Sequence, residues 1–121
     1  LIISYVPQDA SFLTGTLRSF IEDREINETL FKSILRKLDF DRGQFDKNLD
    51  EYSEGQKKKV LLAGSLCESA HLYIWDEPLN FIDVISRIQI EELIQEYNPT
   101  LIFVEHDSAF NRKTATKIIN L

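Results

Sequence analysis

Glycine, proline and cysteine are scarce in this chain: four, three and one among 121 residues. The four glycines are Gly15, Gly43, Gly55 and Gly64, and none stands in the spacing G-x-x-x-x-G-K-[ST]. The sequence therefore has no glycine-rich loop whose successive backbone N–H groups cradle phosphates. The lone cysteine, Cys67, excludes an internal disulfide, and among Val60, Ala63 and Leu66 it reads as a small apolar helix residue. No apolar run approaches the ~20 residues that a membrane-spanning helix requires. The opening Leu1, Ile2 and Ile3 are too short a run, and lack the charged flank, for a signal peptide. The expectation is a cytoplasmic protein with no direct membrane insertion. Basic residues are outnumbered 14 to 20, for a net charge of −6 and a pI near 4.9. That balance excludes the cationic face of a free-standing nucleic-acid binder. Internal repeats and low-complexity segments are also missing. What is present is 43% hydrophobic residues, enough to bury one modest core.

The pattern of those residues is that of an α/β protein. Residues 2–6 read as a strand stopped by Pro7, which has no N–H to give a sheet ladder. From Ala10 to about Ala70 the pattern is helical. Leu30, Phe31, Ile34, Leu35 and Leu38 recur at spacings of three and four, with Lys32, Arg36 and Lys37 between them. A polar stretch over residues 39–50, including Gly43, reads as a loop before a helix at 56–68. Residues 72–75 and 101–104 are unbroken apolar runs, as expected of parallel strands covered on both faces. Between them Ile85, Ile88, Leu93, Ile94 and Tyr97 mark a helix ending before Asn98 and Pro99, and residues 117–121 are a candidate last strand. The order strand, helix, strand implies a right-handed crossover in a mostly parallel sheet.

Chemistry concentrates where strands end and helices begin. Asp76 and Glu77 leave an apolar strand at its carboxyl end, where open α/β sheets place ligands. A carboxylate there suits Mg²⁺ bound directly or through water, which makes Asp76 the candidate metal ligand. Glu77, one residue later, is placed to accept a proton from an attacking water. Taken alone, the pair reads more readily as two solvated acids at a strand end, and the following Pro78, Leu79 and Asn80 with the other motifs reverse that reading. Ser53 with Gln56 three residues on forms a capping box, which by itself is structural. The same helix start is an anion site, and Gly55 leaves room for phosphate to approach. Lys57, Lys58 and Lys59 then read as a solvated first turn. His106, beyond the strand at 101–104, is a candidate γ-phosphate sensor. His71, at the entrance of the preceding strand, reads as structural. Gln8 can reach a metal or water through its amide, and Asp83 is a natural N-cap.

Taken in order, Gln8, the run 52–56, the run 72–77 and His106 resemble four elements of the ABC ATPase (ATP-binding cassette) family, and the likeness covers nearly the whole chain. Gln8 stands as the Q-loop glutamine and residues 52–56 as the signature, usually L-S-G-G-Q. Residues 72–76 stand as the Walker B strand, Glu77 as the catalytic glutamate, 79–83 as the D-loop and His106 as the switch histidine. The resemblance implies part of a P-loop NTPase-type cassette: a parallel sheet flanked by helices, with an α-helical subdomain at 14–70. Residues 1–13 would form the Q-loop strand and loop, and 71–121 the Walker B, D-loop and switch-histidine core. It further implies ATP and Mg²⁺ as ligands. Asp76 and Gln8 would serve the metal, Glu77 and His106 catalysis, and Gln8, Ser53, Gly55, Gln56 and Asp83 the nucleotide. A second cassette, in cis or as a dimer, is the implied partner. Lacking the phosphate loop, the chain alone is expected to bind ATP weakly and to be inactive, and an exposed sheet edge invites homo-oligomers.

The run from Glu77 to Asp83 is similar to E-P-T-N-H-L-D, typical of ABC-F proteins, which carry two cassettes and act on ribosomes. With the run 52–59 and Trp75, it resembles the second cassette of ABC-F antibiotic-resistance factors that protect the ribosome. The alternatives are the nucleotide-binding subunit of a membrane transporter and a degenerate, non-catalytic cassette remnant. Two departures stand out. Glu54 replaces a glycine and would have to point away from phosphate, and Phe81 replaces the usual D-loop histidine.

Overall fold

Helix starts are set by side-chain caps, each occupying backbone N–H groups that the first turn leaves without intrahelical partners. In the computed structural model, which describes residues 1–104, Thr16 accepts from the Ser19 N–H to open α1 (Leu17–Arg24), and Asn27 accepts from Leu30 to open α2 (Glu28–Lys37). Asp41 and Gln44 form a capping box on the short α3 (Arg42–Phe45), and Ser53 and Gln56 form another on α4 (Glu54–Cys67). Asp83 accepts from Ser86 to open α5 (Val84–Tyr97). Glu25 and Asn98 close α1 and α5 in the left-handed region, with φ of 54° and 47°, and Pro99 prevents continuation of α5. The stretch 39–50, read from sequence as a loop, instead holds α3 and a 3₁₀ turn at Leu49–Glu51. Its polar residues are spent on local caps, and the buried Phe40 and Leu49 anchor it.

Three parallel strands, β1 (Ile3–Val6), β2 (Leu72–Asp76) and β3 (Leu101–Val104), lie in the order β1-β2-β3. The register pairs Val6 with Trp75 and Trp75 with Phe103, so these three side chains share one face. That face, with Ser4, Tyr73 and Leu101, is buried in the core. The opposite face departs from the two-sided burial expected of apolar parallel strands. Ile3 and Tyr5 are 48% and 54% exposed, and Leu72, Ile74, Ile102 and Val104 are partly buried.

One helix organises the packing. Residues 60–65 of α4 are buried all round, between the sheet and α2 with its Phe31, Ile34 and Leu35. Gly64 allows the Phe20 ring of α1 to lie against α4, since a Cβ there would stand 2.9 Å from that ring. Trp75, fully buried, donates its indole N–H to Ser65 Oγ at 3.0 Å, and Ser65 Oγ meets Ser4 Oγ at 2.6 Å. An indole N–H without a partner in the core would carry a desolvation cost. This network satisfies it and ties β1 and β2 to α4. No helix among the described residues is long and apolar enough to cross a membrane.

Candidate functional site

Parallel strands deliver their carboxyl ends to one rim. Val6 pairs with Trp75 and Asp76 with Val104, so the chain leaves β1 for Pro7 and Gln8 level with the Asp76–Glu77 exit. Gln8 is exposed, and Asp76 and Glu77 are partly buried. Glu77 donates its N–H to Val104 O at 2.8 Å, which fixes the exit of β2 against the end of β3. His106 and the candidate strand at 117–121 lie outside the described residues.

The loop from Glu77 to Asp83 is bent by unusual backbone. Asn80 N–H donates to Glu77 O, and Ile82 N–H to Leu79 O. Glu77 and Phe81 both adopt left-handed φ, 50° and 68°. Among the described residues the other non-glycine residues in that region are Glu25, Asp39 and Asn98, all at or just past helix C-termini, where the conformation is ordinary. Glu77 and Phe81 close no helix, and Glu77 also precedes a proline, which favours extended backbone. Such conformations cost on the order of 1–3 kcal/mol each and persist where surrounding structure imposes them. Here the buried Pro78, Leu79 and Ile82 impose them, leaving Phe81 65% exposed at the tip.

The start of α4 faces this loop. Tyr52, buried beside Phe40, donates its hydroxyl to Gln44 O, and burial followed by the nearby Asp46 carboxylate pushes the phenol up to about 12. The segment entering Ser53 is thereby anchored. Ser53 Oγ accepts from Gln56 N–H at 3.1 Å, and Gln56 Oε1 accepts from Ser53 N–H at 2.9 Å. Gln56 is thus engaged in the cap, while the Ser53 hydroxyl retains a proton to donate. At Gly55 an added Cβ would lie 2.6 Å from Phe81 O, so glycine is required for the loop to pass this close.

Two clefts flank the contact. One, of about 450 Å³, is lined by Ser53, Gly55, Gln56, Lys59, Phe81 and Asp83, together with Glu54. The other, of about 400 Å³, runs from Gln8 and Asp9 to Asn80 and Phe81, again with Glu54. Glu54 therefore lines both clefts. Hydrogen bonds from Ser86 hold the Asp83 carboxyl below the usual aspartate range, with Lys59 Nζ 3.9 Å away adding to the effect. Backbone and hydroxyl bonds from Ser11 do the same for Asp9.

The lysine run is not the solvated turn read from sequence. Lys57 and Lys58 are buried; Lys58 Nζ donates to Pro7 O and Gln8 O, and Lys59 Nζ to Leu38 O at 3.0 Å. The signal was present: at 3.6 residues per turn, three consecutive side chains sweep about 200° of a helix, so a helix packed on most sides cannot expose all three. His71 sits as expected at the amino rim, its Nδ1 accepting from Ile2 N–H. Cys67 is half-buried, and burial pushes its thiol up to about 11, away from reactivity.

Among the described residues no cluster of three or more His, Cys, Asp or Glu side chains is arranged for a metal. Mg²⁺ needs no such cage when phosphates and waters complete its shell, and an Asp76 carboxylate with a Gln8 amide oxygen offers hard donors of the right kind.

The chain matches the ABC transporter family over residues 2–80. It is 35% identical over 83 residues to ribosome protection protein VmlR of Bacillus subtilis, covering 69% of this chain and 15% of that protein. It is 36% identical over 111 residues to a putative ABC transporter ATP-binding protein of Bacillus cereus, covering 82% and 19%. ABC transporter F family member 2 of Arabidopsis thaliana is 29% identical over 90 residues, covering 74% and 13%. The chain thus spans less than a fifth of each of these relatives. Among solved structures, a model of ribosome-bound archaeal Pelota and ABCE1 superposes with a TM-score of 0.79 at 23% identity, over 98% of this chain and 21% of that one, which shows the shared fold.

Proposed function

The chain belongs to the ABC family of ATP-binding cassettes, and we propose that it serves two different nucleotides in an ATPase built from paired cassettes. Asp76, Glu77 and Gln8 serve the ATP bound by its own cassette, and the start of α4 serves the ATP bound by the partner cassette. The observation carrying this reading is the common rim: Gln8 and the Asp76–Glu77 exit lie level in the parallel register, and the strained loop after Glu77 runs directly to Gly55. Residues 1–13 act as Q-loop strand and loop, 14–70 as helical subdomain, and 71–121 as the core.

Each residue's task follows from its chemistry. Asp76, with the Gln8 amide, would hold Mg²⁺, which when bound would supply charge neutralisation at the transferring phosphate. Glu77 accepts the proton of the attacking water, a role typically contributing about 10²–10⁴-fold. His106 hydrogen-bonds the γ-phosphate. The Ser53 hydroxyl and the Gly55 N–H donate hydrogen bonds to the partner's γ-phosphate, aided by the positive end of α4. Gln56 holds the turn in shape, and Asp83 fixes the loop to α5.

In the full-length protein, Glu77→Gln is expected to lower ATP turnover about 100-fold or more while leaving the fold and nucleotide binding in place. Unchanged turnover would remove Glu77 from the base role. The biological target we propose is the ribosome, in the manner of antibiotic-resistance proteins, supported by the 35% identity to a ribosome protection protein and the likeness to an F-family member. The hydrolysis-deficient Glu77→Gln protein should co-sediment with ribosomes in the presence of Mg-ATP. Absence from the ribosomal pellet, with ATP still bound, would contradict this assignment.

A further inference from the structure

We propose that Lys58 is a positioning residue that fastens Gln8 to the helix carrying Ser53 and Gly55, so that the two nucleotide-facing elements move as one. The inference deepens the proposed function and rests on Gln8 and the α4 turn both facing nucleotide.

Lys58 is 1% exposed, an unusual environment for an ammonium, which is costly to bury unless hydrogen-bonded or paired. Its Nζ donates to Pro7 O at 3.1 Å and Gln8 O at 2.5 Å. Both carbonyls lie beyond the last ladder pair of β1, Val6 with Trp75, where the sheet no longer dictates the backbone path. An apolar side chain of similar length would fill the same space without holding them.

The far side of the same loop is also pinned. Ser11 N–H donates to Asp9 Oδ1 at 2.8 Å, Leu13 N–H donates to Ala10 O at 3.2 Å, and Ala10 and Leu13 are buried. Gln8 is therefore an exposed side chain on backbone secured before and after it. The anchor before it does not come from the sheet. It comes from the first turns of α4, a continuous helix that begins at the Ser53 cap. Lys59, the next residue, ties that helix to Leu38 O at the end of α2 and approaches Asp83 of the loop at 3.9 Å. A displacement of the α4 start is thereby passed to the Gln8 backbone through Lys58. Phosphate contact at Ser53 and Gly55 and the alignment of Gln8 become mechanically linked.

The test uses the full-length protein with Lys58→Met, which keeps length and removes the donors, and Lys58→Gln, which keeps an amide donor. Hydrogen exchange at residues 8–13 should rise about tenfold in Lys58→Met, less in Lys58→Gln, while residues 73–76 keep their protection. The kcat for ATP should fall about tenfold, since small misplacements of a positioning group are expensive in rate, while KM stays within about twofold. Unchanged exchange at 8–13 would overturn the proposal, as would a loosened loop with unchanged kcat. Exchange rising equally across 73–76 would also overturn it, by showing a general packing role. If Lys58→Met fails to fold, Lys58→Gln decides by the same criteria. A wild type without ATP turnover would instead overturn the proposed function, and the exchange measurement would still judge whether Lys58 holds the loop.

Discussion

The two elements that meet at Gly55 and Phe81 are built by opposite means. The start of α4 is made of favourable local choices: Ser53 and Gln56 satisfy each other's backbone, and Tyr52 anchors the entry. The loop from Glu77 to Asp83 is locally unfavourable, with two left-handed non-glycine residues held in place by Pro78, Leu79 and Ile82 beneath them. Under the proposed function, the α4 start presents a fixed set of N–H donors, and its own caps preorganise it. The loop would place the Glu77 carboxylate at a strand exit, in a shape the surrounding core enforces and with strain stored there.

Substitutions at the meeting point sharpen this contrast. Gly55→Ala would drive a methyl group to within 2.6 Å of Phe81 O, so either the loop or the helix start must move. A loss of about 1–3 kcal/mol in unfolding free energy is expected by denaturant titration, as for other overpacked sites. Little or no loss would mean that the loop yields easily and is not rigidly enforced. Ser53→Ala removes a cap of known type and should cost about 1 kcal/mol. If it cost nothing, the helix start would not depend on its own box. The smallest expected effect has the opposite sign. Phe81→Gly relieves a left-handed residue at an exposed tip and should stabilise by about 0.5–1 kcal/mol, the strain released slightly exceeding the added chain entropy. A destabilised Phe81→Gly protein would break the comparison, because Phe81 would then be held by favourable contacts.

Much of this was legible in the residues themselves. The Ser53–Gln56 box and the Asp83 cap depend on neighbours within four positions, and both form as read. The apolar runs at 72–75 and 101–104 become adjacent parallel strands joined through α5, as the strand, helix, strand order implies. The rest depended on distant partners. That Lys58 turns inward is decided by carbonyls some fifty residues away at Pro7 and Gln8. The left-handed turns at Glu77 and Phe81 run against local preference and follow from burial of the residues between them. The apolar runs at 72–75 and 101–104 likewise announced two covered faces, whereas Leu72, Ile74, Ile102 and Val104 on the second face are only partly buried.

Structure determination of the full-length protein with Mg²⁺ and a non-hydrolysable ATP analogue tests the central claim most directly. One nucleotide is expected with its metal met by Asp76 and Gln8, and a second with its γ-phosphate met by Ser53 and the Gly55 N–H. Finding both sets of residues on a single nucleotide, or Asp76 and Gln8 turned away from any metal, would contradict it.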